Sequence, residues 1–460
     1  MMRVTRRELL ATASALAALP LLGAAPTAEP TFPPEAVRSD LDAIWQALID
    51  VGVQPFRSSD RTTVEQLYRS ARTSMTAPMG TREAWLGIAP VLGALNDGHV
   101  GLLFPQPLNA APRLFPLRFA LAAGDDALIV VGDRTKTVPI GSKLVSVEGV
   151  PADRFRVTTL AAFGGQTPAL HRERVSMAGA WTAIALFGDR PAYDVRWMGA
   201  NGSVAQATIP KTPPTRGVKA DPYTYSTLRG GTVGYLDYRS CEDLDRFKAF
   251  LQQTFEAIRQ QPVRALVIDI RRNGGGDSDL NDQLWQYAQS KPFKQFGASI
   301  EKACDRLKRE YGEKKYVDIY GEQAWNAPNG TVITYGGDPN QGLIVPGPLP
   351  IRYRGPVYLL ISTGTFSSAM SCAVAAKDYD LATIVGEETG EPVNSTGEIY
   401  FQTAPNTGLR AALTTKVFLA PKPHPDDRGV VPDVAVETTP ADIAAGRDPV
   451  MERVFELIGA

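Results

Sequence analysis

From residue 232 onward the apolar positions of the chain switch regularly between two periods. Residues 233–238 form a strand-like apolar run, and 243–258 places Phe247, Phe250, Leu251, Phe255 and Ile258 on one helical face. Residues 265–270 read again as a buried strand and 279–288 as a helix. After a long polar interval, 357–361 resumes as strand, a small-residue helix follows Ser367, and 382–385 is strand once more. Such alternation predicts an α/β core over residues 220–455. Upstream, Ser39 is placed to cap a helix carrying Leu41, Ile44, Trp45 and Leu48 on one face. A weaker helical pattern covers 63–72, and 81–95 aligns Trp85, Ile88, Leu92 and Leu95, with Pro90 as a kink. These predict a helical domain over 36–108. Between 112 and 215 the pattern becomes short β-rich runs, at 116–121, 127–131, 143–147 and 193–197, separated by turns. The interval 292–355 is polar, rich in Gly and Pro, and reads as an insertion in the core. Its Tyr311, Tyr316, Tyr320 and Trp325 admit two readings, the lining of a substrate cleft or the fastening of the insertion.

Composition narrows the function classes. A chain of 460 residues with 44% hydrophobic and 21% charged residues is a folded protein too long for one ordinary domain. Forty-eight basic against 49 acidic residues leave a net charge of −1, so no field gathers nucleic acid or anionic lipid. Residues 1–28 open with Thr5-Arg6-Arg7-Glu8-Leu9-Leu10, continue as an apolar run and end in small residues. This resembles a twin-arginine export signal and predicts a protein exported to the periplasm or secreted by a bacterium. Thr12, Ser14 and Pro20 interrupt the run, and a span needs roughly 20 strongly apolar residues, so no stable membrane insertion is expected once the signal is removed. Three cysteines, Cys241, Cys304 and Cys372, leave room for one bridge but not for a disulfide framework. Cys372 reads as a buried small residue rather than a second nucleophile.

The chemistry concentrates in a few segments. Ser367 lies between an apolar strand and a small-residue helix, where a helix N-terminus stabilises an oxyanion. The run Asn273-Gly274-Gly275-Gly276, after another buried strand, offers amides with no side chains to block a substrate carbonyl. A serine hydroxyl needs a base. Among His99, His171 and His424, His99 stands out, because Gly98 before it lets the chain turn sharply and present the imidazole. Other chemistries fit less well. Asp279 stands where a dinucleotide fingerprint needs glycine, Thr365 and Ala369 stand where Gly-x-Ser-x-Gly needs glycines, and no His-Glu-x-x-His is present.

Taken in order, Asp97-Gly98-His99, the 268–276 run, Thr365-Phe366-Ser367-Ser368-Ala369, Gly386-Glu387-Glu388-Thr389-Gly390 and Gly429-Val430-Val431-Pro432-Asp433 resemble the signature of the S41 family of serine peptidases. That family comprises the tail-specific, C-terminal-processing and tricorn-like proteases. The resemblance implies an α/β (α+β) fold, with a crotonase-like core of repeated ββα units, a PDZ-like domain over 112–215 and the helical N-terminal part. Residues 138–151 resemble the turn, strand and hairpin glycine of PDZ domains, which implies a sheet edge able to take an extended peptide. Carried over by position, Ser367 is the nucleophile and the amides of Ser368, Gly274 and Gly275 form the oxyanion hole. The lysine of Ser-Lys members is missing, since that stretch reads Gly390-Glu391-Pro392-Val393. Its absence favours the tricorn-like branch, in which a histidine at the position of His99 is the general base. The orienting acid falls to Asp426, with Asp427 as the alternative, and the family's acidic residue three places after the nucleophile is Met370. The implied activity is hydrolysis of a peptide or protein substrate through an acyl-enzyme, with no cofactor and no metal. Two alternatives stand beside it: a peptide-binding protein impaired in turnover, and a hydrolase of small esters or amides.

Overall fold

The computed structural model describes residues 30–105, 115–121, 127–212, 220–425 and 428–459. The expected signal at 1–28 lies outside them, as do Asp426 and Asp427. The chain begins with β1 (Thr31–Phe32), α1 (Pro34–Val51), α2 (Arg61–Ser74), β2 (Met79–Gly80), α3 (Thr81–Gly93) and β3 (Gly101–Leu102). Helix α1 starts earlier than Ser39 would have it. Pro34 occupies its first turn, where a missing N–H and a fixed φ cost nothing. Pro90 sits in the last turn of α3, close enough to its end that the helix simply stops at Gly93.

An antiparallel sheet follows, formed by β4 (Leu117–Leu121), β5 (Leu128–Asp133), β6 (Lys143–Val147), β7 (Val150–Pro151), β8 (Ala192–Met198) and β9 (Val204–Pro210). Its order is β4-β5-β6-β8-β9, with β7 paired to β6. Two helices that the β-rich reading does not contain interrupt it, α4 (Ala152–Phe163) and the 20-residue α5 (Pro168–Phe187). Helix α5 buries Ala169, Leu170, Val175, Ala178, Gly179 and every residue from Thr182 to Phe187. Buried positions wrap around it, so it shows no one-sided stripe.

The remainder builds two further sheets from β10 (Tyr223–Leu228), β11 (Val233–Tyr238), α6 (Leu244–Gln260), β12 (Ala265–Asp269), α7 (Asp279–Ala288), β13 (Ala298–Lys302), α8 (Asp305–Asn326), β14 (Val332–Gly336), β15 (Val357–Ile361), α9 (Ser368–Tyr379), β16 (Thr383–Gly386), β17 (Ser395–Thr403), β18 (Arg410–Leu419), β19 (Val434–Ala435), α10 (Pro440–Ala445) and α11 (Pro449–Ile458). The first sheet runs β10-β11-β12-β15-β16-β19, parallel except for the β10–β11 pair. Its central strands β12 and β15 are apolar on both faces because both are covered. Leu266, Ile268, Leu359 and Ile361 join Phe247, Phe255, Trp285 and Met370 on one side, while Val267, Leu360 and Val385 meet Val450 and Val454 of α11 on the other.

The second sheet runs β14-β13-β18-β17, and β3 adds to β18 through Gly101↔Ala412 and Leu102↔Ala411. The stretch expected as an irregular insertion therefore supplies two strands and a helical segment, broken at Gly312 and Gly321. Of the two readings of its aromatics, fastening fits. Tyr316 and Tyr320 are buried, and the Tyr320 hydroxyl lies 2.9 Å from Thr415 Oγ1 of β18. The first helices pack on this same sheet, where Asp40 accepts the Asn406 and Thr407 amides at 2.9 and 2.7 Å. Through β3, the front of the chain is tied to strands some 300 residues downstream.

Candidate active site

Ser367 ends the turn after β15 and serves as N-cap of α9, with φ 56° and ψ −127°. A non-glycine residue held there costs on the order of 1–3 kcal/mol, so the surroundings must enforce it. They do so from three directions. The Phe366 amide donates to Asn273 O at 3.1 Å, the Ser371 amide donates to Ser367 O at 3.0 Å, and the Ser367 amide donates to Glu391 Oε2 at 2.6 Å. The strained turn sets the half-buried residue at the positive end of α9.

The glycine run comes up against this turn. A Cβ on Gly275, whose φ is +99°, would lie 2.6 Å from Ser367 Cβ and 2.9 Å from Ser368 N, so only glycine allows the approach. Of the three amides expected to hold an oxyanion, two are uncommitted. Ser368 is the first residue of α9, where an N–H has no intrahelical acceptor, and Gly274 N–H has none among the described residues. The Gly275 amide is different, because it donates to Asn273 Oδ1 at 2.9 Å. Asn273 is fully buried and also donates to Tyr238 O at 3.1 Å, which pins the loop to the end of β11. Gly275 thus contributes close approach, and Gly274 and Ser368 the open donors. Cys241, Cys304 and Cys372 are free thiols, all buried. Burial pushes the Cys241 thiol up to about 11, consistent with a structural group.

His99 arrives from the other end of the chain. Its side chain is 9% exposed, and its Nδ1 lies 3.1 Å from Glu391 Oε1, close but not aligned as a hydrogen bond. Nε2 is buried and has no partner among the described residues. The ring stacks at a tilt on Phe366, the neighbour of Ser367, with centroids 4.5 Å apart. Asp97 Oδ1 accepts the His99 amide at 2.9 Å and the Thr396 hydroxyl at 2.8 Å, while Asp97 Oδ2 accepts the Thr414 hydroxyl at 3.3 Å. The reason for glycine at 98 differs from the sequence reading. The positive φ of this turn is at Asn96, at 51°, whereas a Cβ on Gly98 would strike Phe366 Cε2 at 2.8 Å and Leu170 Cδ2 at 3.0 Å. Space, not backbone freedom, selects the glycine.

Glu391 is the carboxylate that joins the two halves, and it is fully buried. One oxygen takes the Ser367 amide and the other faces His99. It was not among the expected site residues. The signal was present, however, as a lone acid in the otherwise apolar Gly390-Glu391-Pro392-Val393, where the dyad lysine was sought. Thr389 Oγ1 accepts the Val430 amide at 2.8 Å, so the Gly386–Gly390 and Gly429–Val430 motifs brace one another beneath this acid. Burial is the largest influence on His99 and disfavours its charged form. The Glu391 and Asp97 carboxylates outweigh burial and the nearby Arg174 cation, leaving the imidazole with a raised pKa. Met370 is buried in the apolar core beneath α9. His171 braces its own helix through Gly165 O at 2.9 Å, and His424 pairs with Asp378 at 2.7 Å. The arrangement offers a strained serine, an imidazole with a free ring nitrogen, a buried carboxylate behind it and two unpaired amides.

Residues 232–436 match Peptidase family S41. Among solved structures, mature CPAF superposes with a TM-score of 0.62 at 18% identity, covering 92% of this chain and 96% of that one. A point mutant of CPAF gives 0.65 at 17% identity over 92% and 96%. Mature CPAF complexed with lactacystin gives 0.61 at 18% identity over 92% and 98%. At such identities the likeness is one of fold, and it extends over most of both chains.

Proposed function

We propose that the chain is a serine-type peptidase of family S41 that hydrolyses peptide bonds through an acyl-enzyme on Ser367, with His99 as general base and Glu391 as the acid that orients it. The observation that carries this reading is the Glu391 carboxylate, 2.6 Å from the Ser367 amide and 3.1 Å from His99 Nδ1. With Nδ1 turned to the acid, Nε2 is the atom left to take the serine proton as Oγ attacks the scissile carbonyl. The developing oxyanion is held by the amides of Gly274 and Ser368, reinforced by the N-terminus of α9. The imidazolium then returns its proton to the leaving amine, and water resolves the ester by the reverse path. Substrates are peptides or proteins. We further propose that the enzyme acts after export, a reading supported by the Arg6-Arg7 segment and the apolar run behind it.

The test is turnover of a quenched-fluorescent peptide set and of small esters by purified wild-type protein and by Ser367→Ala. Peptide cleavage that disappears in Ser367→Ala is the expected result. Ester turnover without peptide turnover would replace this reading with that of a small-ester hydrolase, and equal turnover by both proteins would remove Ser367 from the mechanism.

A further inference from the structure

A helix outside the 232–436 match reaches into the site. Gly98, the residue before His99, has both of its backbone groups held by side chains from the start of α5 and the turn before it. Its N–H donates to Gln166 Oε1 at 3.1 Å, and its C=O accepts from Arg174 Nη2 at 2.5 Å. The neighbouring Thr167 hydroxyl donates to the carbonyl of Gly390 at 2.6 Å, the residue before Glu391. Glu173 Oε2 accepts from Thr363 Oγ1 at 3.0 Å, on the turn that leads to Ser367. The Arg174 guanidinium also lies over the Phe366 ring, 5.5 Å from its centroid, on the ring that packs against His99.

We propose that the N-terminal end of α5 is a clamp that assembles the histidine and its acid, and that Arg174 is the positioning residue at its centre. The inference rests on the reading of His99 and Glu391 as base and acid. Its physical basis is the company Arg174 keeps. Burying a guanidinium is costly unless it is paired and hydrogen-bonded, yet Arg174 Nε is buried without a partner and its contacts go to a backbone carbonyl and an aromatic face. Such contacts fix the path of a loop. A loop fixed on both sides of one residue carries its next side chain within the tolerance that proton transfer requires, where a misplacement of about 1 Å costs on the order of 100-fold in rate.

The clamp also sets the charge around the imidazole. The charged groups that face His99 are Glu391 and Asp97, which favour the imidazolium, and Arg174, which opposes it. Removing the cation leaves the two carboxylates opposed by burial alone, so the acid limb of the pH–rate profile moves to higher pH. A purely structural arginine would leave that limb in place.

The experiment measures kcat, KM and the pH profile of peptide hydrolysis for wild type, Arg174→Ala, Arg174→Lys, Gln166→Ala and His99→Ala, with thermal melts alongside. Arg174→Ala is expected to lose about 10- to 100-fold in kcat, with KM changed less than about twofold, and to shift its acid limb upward. Arg174→Lys keeps a cation, so it should restore the limb while recovering only part of the rate. Gln166→Ala removes one of the two holds on Gly98 and is expected to lose about 3- to 10-fold in kcat, and it decides the matter if Arg174→Ala does not fold. Wild-type kcat and an unmoved limb in the folded arginine variant, or an unchanged Gln166→Ala where that variant fails, with His99→Ala inactive, would overturn the clamp alone. A fully active His99→Ala would instead remove the base on which the clamp depends.

Discussion

The two halves of this active site are built in opposite ways. Ser367 is delivered locally: a strand buried on both faces, a tight turn and a helix place it within a dozen residues, and the Gly274–Gly276 run rises from the adjacent parallel strand. His99 has no such frame. It sits on an irregular stretch between α3 and β3, held by a strand pair with β18, by Thr396 and Thr414 through Asp97, and by Gln166 and Arg174 through Gly98. A local frame withstands the loss of any one contact. A base assembled from three distant segments is only as well placed as its ties, and this half of the site is where regulation or failure is easiest to introduce.

Several perturbations separate the halves, beginning with the largest. Glu391→Gln touches both at once, and we expect a loss of about 10²- to 10⁴-fold in kcat, with the acid limb moving down because the charge favouring the imidazolium is gone. A rate near wild type would show that the acid lies elsewhere, with Asp426 and Asp427 next to test. Gly275→Ala strikes the nucleophile half alone. Its Cβ would lie 2.6 Å from Ser367 Cβ, so we expect a loss of about 10²- to 10³-fold that a compensating change around His99 does not rescue.

Acidity acts on the histidine half alone. Because the His99 pKa is raised, kcat/KM should fall with acidification at a midpoint above the ordinary imidazole value of about 6.5. The sign for stability is opposite. The protonated His99–Glu391 pair stabilises the fold fully below the unfolded pKa, and that contribution is lost as pH rises through the folded pKa, so melting temperature and activity should move in opposite senses across this window. A midpoint at or below the ordinary value would show that the carboxylates do not dominate. The smallest effect is expected for Met370→Leu. A near-isosteric apolar swap should cost under about 1.5 kcal/mol and leave kcat within about twofold, as expected of a packing residue with no polar part in the site.

The difference between the halves also decided what could be read from the sequence. The 233–238, 279–288 and 357–361 segments were legible to the residue, since strands buried on both faces alternate with one-sided helices and each carries a clean period. Helix α5 was not, because Ala178, Gly179, Ala183, Ile184 and Ala185 bury it nearly all round and erase the stripe. With it went Gln166 and Arg174. Ser367 and His99 announced themselves as candidates through the residues beside them, whereas Glu391 was passed over as the place where a lysine was wanting. A buried acid in an apolar stretch is a signal of its own, and its partner becomes visible only when the fold brings residue 99 alongside it.

The central claim is that His99, Glu391 and Ser367 act as one unit. It is tested most directly by the rate at which a fluorophosphonate modifies the protein, with the adduct located by peptide mass spectrometry. We predict an adduct on Ser367 in the wild type, none in Ser367→Ala, and modification slowed by about 100-fold or more in both His99→Ala and Glu391→Gln. An adduct on another residue, or His99→Ala modified as fast as the wild type, would contradict it.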